Sequence, residues 1–273
     1  MLDNKETTQN YFKGLTRKDY IERVCKIMEK DGAEDLSIRR IAKELGCSSA
    51  ALYRYFNSKS ELMYYVSLNT LEGYIIRLNQ AEKTWRGVWD IYVGVWYCYS
   101  QEAFRHPKDY NRLFFEHTNE YLGGAMKEFY QMFPQNINEA NQFFSEMLGT
   151  ADFWGRDFEM CKKCMKAGAI SEENALILNR MSCILYKGYF KGVMDDGIEE
   201  DEIEERVRLF IDDLDIIVKA LASELQGYDG YFKQKREKND KKIGNLHKNI
   251  YRYFVLLTIF IKGGCAFKKC VYN

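Results

Sequence analysis

SIRRIAKELGCSSAALYRYFNSK, Ser37 to Lys59, is the stretch whose reading decides the fold. Ile38, Ile41, Ala42 and Leu45 recur at helical spacing, so a first short helix has one apolar face. Ser37 stands in front of it, where its hydroxyl can accept from a free first-turn amide. Gly46 ends the helix, because glycine enters the left-handed conformation without steric cost. Ser48 or Ser49 then caps a second helix carrying Leu52, Tyr53, Tyr55 and Phe56. Helix, glycine turn, helix is the layout of a DNA-reading helix-turn-helix. Between Ser37 and Ser60 the bases Arg39, Arg40, Lys43, Arg54 and Lys59 face Glu44 alone, an excess suited to a phosphate backbone. The second helix opens small and polar, with Ser48, Ser49, Ala50 and Ala51, so it can enter a major groove. The competing reading is a helical hairpin whose charges are merely solvated.

At these residues the sequence resembles the TetR family of bacterial transcriptional regulators. Ile41-Ala42, Gly46, Leu52-Tyr53, Tyr55-Phe56, Lys59 and Leu62 stand at signature positions. Upstream come a helix from Thr16, then Gly32 and Leu36-Ser37. The close match covers residues 16 to 63. It implies phosphate contacts for Tyr53 and Lys59, and often for Tyr55. It implies base or groove contacts for Arg39, Ser48, Ser49, Ala51 and Arg54. Cys47 stands where valine is usual and Tyr55 where histidine is frequent, which leaves the contact at Tyr55 open.

Outward from this stretch, the composition is that of an all-α protein. The chain has 273 residues, 46% apolar and 29% charged, with Pro107 and Pro134 as its only prolines. The formal net charge is zero, so DNA affinity must come from a local patch. Tyr20, Ile21, Val24, Ile27 and Met28 form one face of a first helix, Thr16 to Asp31, that should pack on Ile38, Ile41, Leu45, Leu52 and Phe56. The organisation expected is a three-helix head over residues 10–58, a larger helical effector-binding and dimerisation domain over 59–227, and a basic tail of unknown role over 228–273. A helix from Ser58 or Ser60 through Leu62, Met63, Val66, Leu71 and Ile75 should belong to both domains. The tail holds eleven Lys and Arg against Asp229, Glu237 and Asp240. Its removal is expected to leave dimerisation and operator binding largely intact.

From Trp85 onward aromatic residues crowd together: Trp85, Trp89, Tyr92, Trp96, Tyr97 and Tyr99. Core packing explains many of them. Buried Tyr and Trp also need hydrogen-bond partners, so dense sets of them often line a cavity. Trp89, Tyr92, Trp96, Phe114, His117 and Trp154 are the candidate lining, suited to an apolar or aromatic effector. Pro107 should break the helix that precedes it. Gly123-Gly124 is a further possible break. Two long amphipathic helices cover Ser171 to Gln226. In the family such helices pair between subunits, and Phe210 and Leu214 are the expected contacts.

Chemistry is hard to find. Cys161 and Cys164 form a lone Cys-x-x-Cys without a second ligand pair. His106, His117 and His247 have no metal-ligand spacing. The acidic run Asp195 to Glu205 lacks the spacing of a calcium loop. No phosphate loop or nucleophile elbow occurs. No cofactor and no enzymatic activity are expected. Neither a leader-like apolar stretch nor a run of membrane-spanning length is found, so cytoplasmic location and no membrane partner are expected. The resemblance implies a ligand-responsive repressor that binds a palindromic operator as a homodimer and is released by a small hydrophobic effector. The alternatives are a ligand-independent architectural or activating DNA-binding protein, or an all-helical enzyme.

Overall fold

The computed structural model describes residues 15–31, 36–116, 122–134 and 143–232. The described residues up to Tyr231 make one compact unit. Of the basic tail, residues 233–273 lie outside the described residues. The described residues form helices and no strands.

The head comprises α1 (Arg17–Asp31), α2 (Ile38–Leu45) and α3 (Ser49–Tyr53). Tyr20, Ile21 and Val24 on α1 are buried against Ile38, Ile41, Leu45, Leu52 and Phe56, as their spacing predicts. Ser37 accepts from the Arg40 amide and Ser48 from the Ala51 amide, both at 3.2 Å, so each hydroxyl satisfies an orphan donor. Gly46 takes φ 73° and donates its amide back to Lys43, closing α2. The second helix of the motif stops at Tyr53, so Tyr55 and Phe56 lie beyond it rather than on it.

The helix shared by head and body is two helices. α4 (Lys59–Leu68) and α5 (Leu71–Glu82) are separated at Asn69-Thr70. There Thr70 turns its hydroxyl back on the Ser67 carbonyl at 2.7 Å, competing with regular helical bonding. The body continues with α6 (Val88–Arg105), α7 (Pro107–Phe114), α8 (Leu122–Met132), α9 (Ser145–Gly149), α10 (Phe153–Lys166), α11 (Glu172–Asp196) and α12 (Ile203–Leu221). Pro107 opens α7, where its missing N–H is no loss. Gly123 and Gly124 lie inside α8 and do not break it. α6 is central, packed between α5 on one side and α10 and α12 on the other, and α11 packs on both α10 and α12. α1 leans on α4, and α4 in turn touches α7 and α8. Gly94 on α6 is required by space, since a Cβ there would fall 2.4 Å from the Trp85 indole.

Candidate nucleic-acid interface and effector cavity

The head exposes the residues a duplex would meet. Arg39 on α2, Ser48 at the cap of α3, and Tyr53 and Arg54 at its end are exposed, with Tyr53 at 52%. Ser49, Ala51 and Lys59 are half-buried beside them. Tyr55 differs. Its ring lies 5.0 Å from that of Tyr20, and its hydroxyl donates to the Leu15 carbonyl at 2.8 Å. While that bond holds, the phenol has no proton to give a phosphate, so its geometry is that of a clasp on the chain leading into α1.

Sequence reasoning missed the ion cluster beneath the head. Arg17 on α1 pairs with the buried Glu61 of α4 and with Glu128 of α8. Its guanidinium stacks 4.1 Å from the Tyr65 ring and 5.0 Å from that of Phe56. Glu61 also accepts from the Asn57 amide, tying the turn before α4 to the same cluster. Lys18 sits 4.9 Å over the Phe133 ring, adding a second link between α1 and the end of α8. These residues are far apart in sequence, and only the fold brings them together.

In the body, the candidate effector residues are largely occupied with each other. Trp89 donates its indole N–H to the Glu224 carbonyl at 2.9 Å, and Tyr92 its hydroxyl to Ser182 at 3.0 Å. Trp96 donates to Asp157 Oδ1 at 2.8 Å. Phe114 packs near Tyr99, Tyr110 and Phe153, whereas Trp154 is half-buried beside Lys187. His117 lies outside the described residues. A cavity of ≈ 30 Å³ opens among Tyr74, Trp96, Tyr99, Phe153, Arg156 and Asp157, enough for little more than a water molecule. Trp96 is the one proposed lining residue on its wall. Arg156 and Asp157 were not foreseen, although both fall on the buried face of α10 with Phe153 and Met160, where charge is a signal.

Burial pushes the Asp157 carboxyl up to about 6, against hydrogen bonds from Asn179, Trp96 and Cys161 that hold it down. The Cys161 and Cys164 thiols are free and buried; burial raises both, Cys164 to about 12. Such thiols are poor nucleophiles and poor ligands. No metal-holding group of His, Cys, Asp or Glu occurs among the described residues. No described helix is long and apolar enough to cross a membrane.

The two capped helices around a left-handed glycine, with exposed basic and tyrosyl side chains, define a helix-turn-helix protein of the DNA-binding class. Residues 23–66 match the family described as "Bacterial regulatory proteins, tetR family". HTH-type transcriptional regulators of Staphylococcus aureus, among them those of strains USA300 and COL, are 36% identical over 66 residues, or 24% of this chain and 36% of theirs. The chain thus spans only about a third of the length of these curated relatives. Over this N-terminal stretch the chain is similar to the tetR family of bacterial regulatory proteins. Two solved structures are loosely similar in fold. A putative tetR family transcription regulator from Shewanella sp. PV-4 is 15% identical with a TM-score of 0.42, covering 77% of this chain and 100% of its own. A protein of unknown function from Rhodococcus sp. RHA1 is 18% identical with a TM-score of 0.48, covering 79% and 100%.

Proposed function

We propose that the protein is a cytoplasmic transcriptional repressor that binds a palindromic operator as a homodimer and leaves it when the body takes up a small, largely aromatic effector. The observation that carries the DNA reading is α3, short, capped by Ser48 and free of bulky side chains over its first turn, standing beside exposed Arg39, Tyr53 and Arg54. Tyr53 and Lys59 hold phosphates, and Arg39, Ser48, Ser49, Ala51 and Arg54 reach the groove. The dimer reading is supported by Leu176 and Ile184 on α11 and Ile216 on α12, which are 54%, 58% and 39% exposed. Phe210 and Leu214, the contacts expected from spacing, are instead fully buried within the chain.

Selection of bound duplexes from random DNA tests the DNA reading. The expected product is a palindrome whose half-sites lie about one turn, roughly 34 Å, apart. Enrichment of no sequence, or of single half-sites by a monomer, overturns it. The near-solid body favours a second reading, a ligand-independent DNA-binding protein. Operator binding that no small molecule weakens selects that reading.

A further inference from the structure

Arg156 is 4% exposed and sits in the middle of the body on α10. Arginine keeps its charge in proteins, so this is a cation held away from water. Buried cations are normally matched by a carboxylate. Among the described residues Arg156 has none. Its Nη1 donates to the carbonyls of Leu148 at 3.2 Å and Thr150 at 3.3 Å, and the guanidinium also meets the thioethers of Met126 and Met147. Its plane lies 5.3 Å from the Phe114 ring. Asp157, next in the chain, points elsewhere: Oδ1 accepts from Trp96, and Oδ2 from Asn179 and the Cys161 thiol.

Near this cation the hydroxyls of Tyr64 and Tyr110 are buried and make no well-formed hydrogen bond among the described residues, while Tyr99 and Tyr130 have only loose contacts, with Tyr186 and with Arg156 itself. Burial raises these phenols, and the charge of Arg156 acts on all four in the opposite sense, so all four lie within its reach. Unpartnered buried donors are rare in folded proteins and call for an explanation. Of these groups Arg156 and Tyr99 lie on the cavity wall, where a fixed cation and a hydroxyl donor together suit an anion. The cavity walls add Trp96, Phe153 and Tyr74, which are stacking surfaces.

We propose that the body takes an aromatic monocarboxylate, its anionic group held by Arg156 and by tyrosine hydroxyls including Tyr99, and its ring lodged against Trp96 and Phe153. This deepens the sensor reading and rests on it. Planar, bidentate pairing is what a guanidinium offers a carboxylate. A single charge is the limit, because Asp157 stands on the same wall and opposes a dianion such as a phosphate monoester. At ≈ 30 Å³ the cavity is smaller than an aromatic acid, so a ligand must part the helices that line it, α5, α6, α9 and α10, to enter.

The test is calorimetric titration of the full chain at pH 7.5 with two isosteric pairs, benzoate against benzamide and 1-naphthoate against 1-naphthamide. At least one acid should bind at least tenfold more tightly than its amide. Arg156→Met should abolish that preference with its helical circular dichroism retained, and Arg156→Lys should keep it at reduced affinity. Equal binding of acid and amide, binding of neither acid, or a preference that survives in Arg156→Met would overturn the proposal. Should Arg156→Met not fold, the wild-type pairs and Arg156→Lys still decide. Operator release by an amide as readily as by its acid sinks the carboxylate site and spares the sensor. An acid that binds through Arg156 without releasing operator does the reverse.

Discussion

Lys59 opens α4 at the edge of the recognition surface, half-buried and one residue from the cap Ser58. A lysine so placed offers a phosphate a point charge and no base-reading geometry. Lys59→Ala should weaken binding to every duplex and make the slope of log affinity against log salt shallower by about one, as measured by anisotropy titration. A changed sequence preference at constant slope would refute the assignment. Inside the body, Asp157 makes a separate prediction. Its folded-state pKa, about 6, lies above the usual 3.8 because burial disfavours the anion. The folded chain therefore holds a proton that the unfolded chain has released across that window. Stability falls as pH rises from about 4 to about 6, by roughly 3 kcal/mol in all, and stays low above it. Asp157→Asn has no such titration. The stability of wild type relative to this variant, read from urea midpoints, should decline across that window. A difference that is flat with pH would show that Asp157 is already ionised at pH 4.

α8 is the element that touches both ends of the molecule. Met126 on it meets Arg156, and Glu128, two residues on, grips Arg17 of the head. A cleft of ≈ 590 Å³ between α1 and the ends of α4 to α7 leaves the head room to move. A ligand that displaces α8 would thus pull on α1 through an ion pair. Glu128→Gln should leave effector affinity within about twofold while cutting its effect on operator binding at least fivefold; an undiminished effect would remove α8 from the route. The outer stripe of α11 carries the dimer prediction. Leu176→Glu with Ile184→Glu should yield a folded monomer at micromolar concentration with more than tenfold weaker operator binding. A dimer that persists in sedimentation would move the interface elsewhere. How far sequence reaches is visible in these same helices. Periodicity and caps located α1, α2, α11 and α12, because burial of one face and satisfaction of first-turn amides are local demands. The split at Asn69-Thr70 was invisible to periodicity, since the apolar spacing runs straight through it. Phe210 and Leu214 were misassigned because an apolar face announces that it is covered and not by what. Arg17, Glu128 and Arg156 were silent for a third reason: a cation's meaning lies in which distant residues the fold sets around it.

For the whole molecule, the end of the body lies further along the chain than composition suggests. The shift to basic residues begins near Tyr228, yet Tyr228 donates its hydroxyl to Asp215, which is only 1% exposed. The Tyr231 amide donates to the other oxygen of the same carboxylate at 3.0 Å, and the Tyr231 ring packs tilted, 5.2 Å from that of Tyr97. Lys219 reaches the Asp229 carbonyl at 2.9 Å. Residues 228–231 therefore act as a strap across α12 and α6, and the compact unit runs to Tyr231. Removing everything after Gly227 strips a buried carboxylate of two donors. The cost is on the order of 2–3 kcal/mol, with lost tyrosine packing in addition. For a body of this size that lowers the melting temperature by about 5–10 °C. A chain ending at Phe232 keeps both donors and should melt within about 2 °C of one ending at Asn273, on the same scale of degrees per kcal/mol. The removable part of the tail thus begins after the strap and not before it. Equal melting of chains ending at Gly227 and Phe232 would show that Asp215 recovers its hydrogen bonds from water and that the strap is dispensable. A large drop in the chain ending at Phe232 would instead place a stabilising role in the residues beyond it.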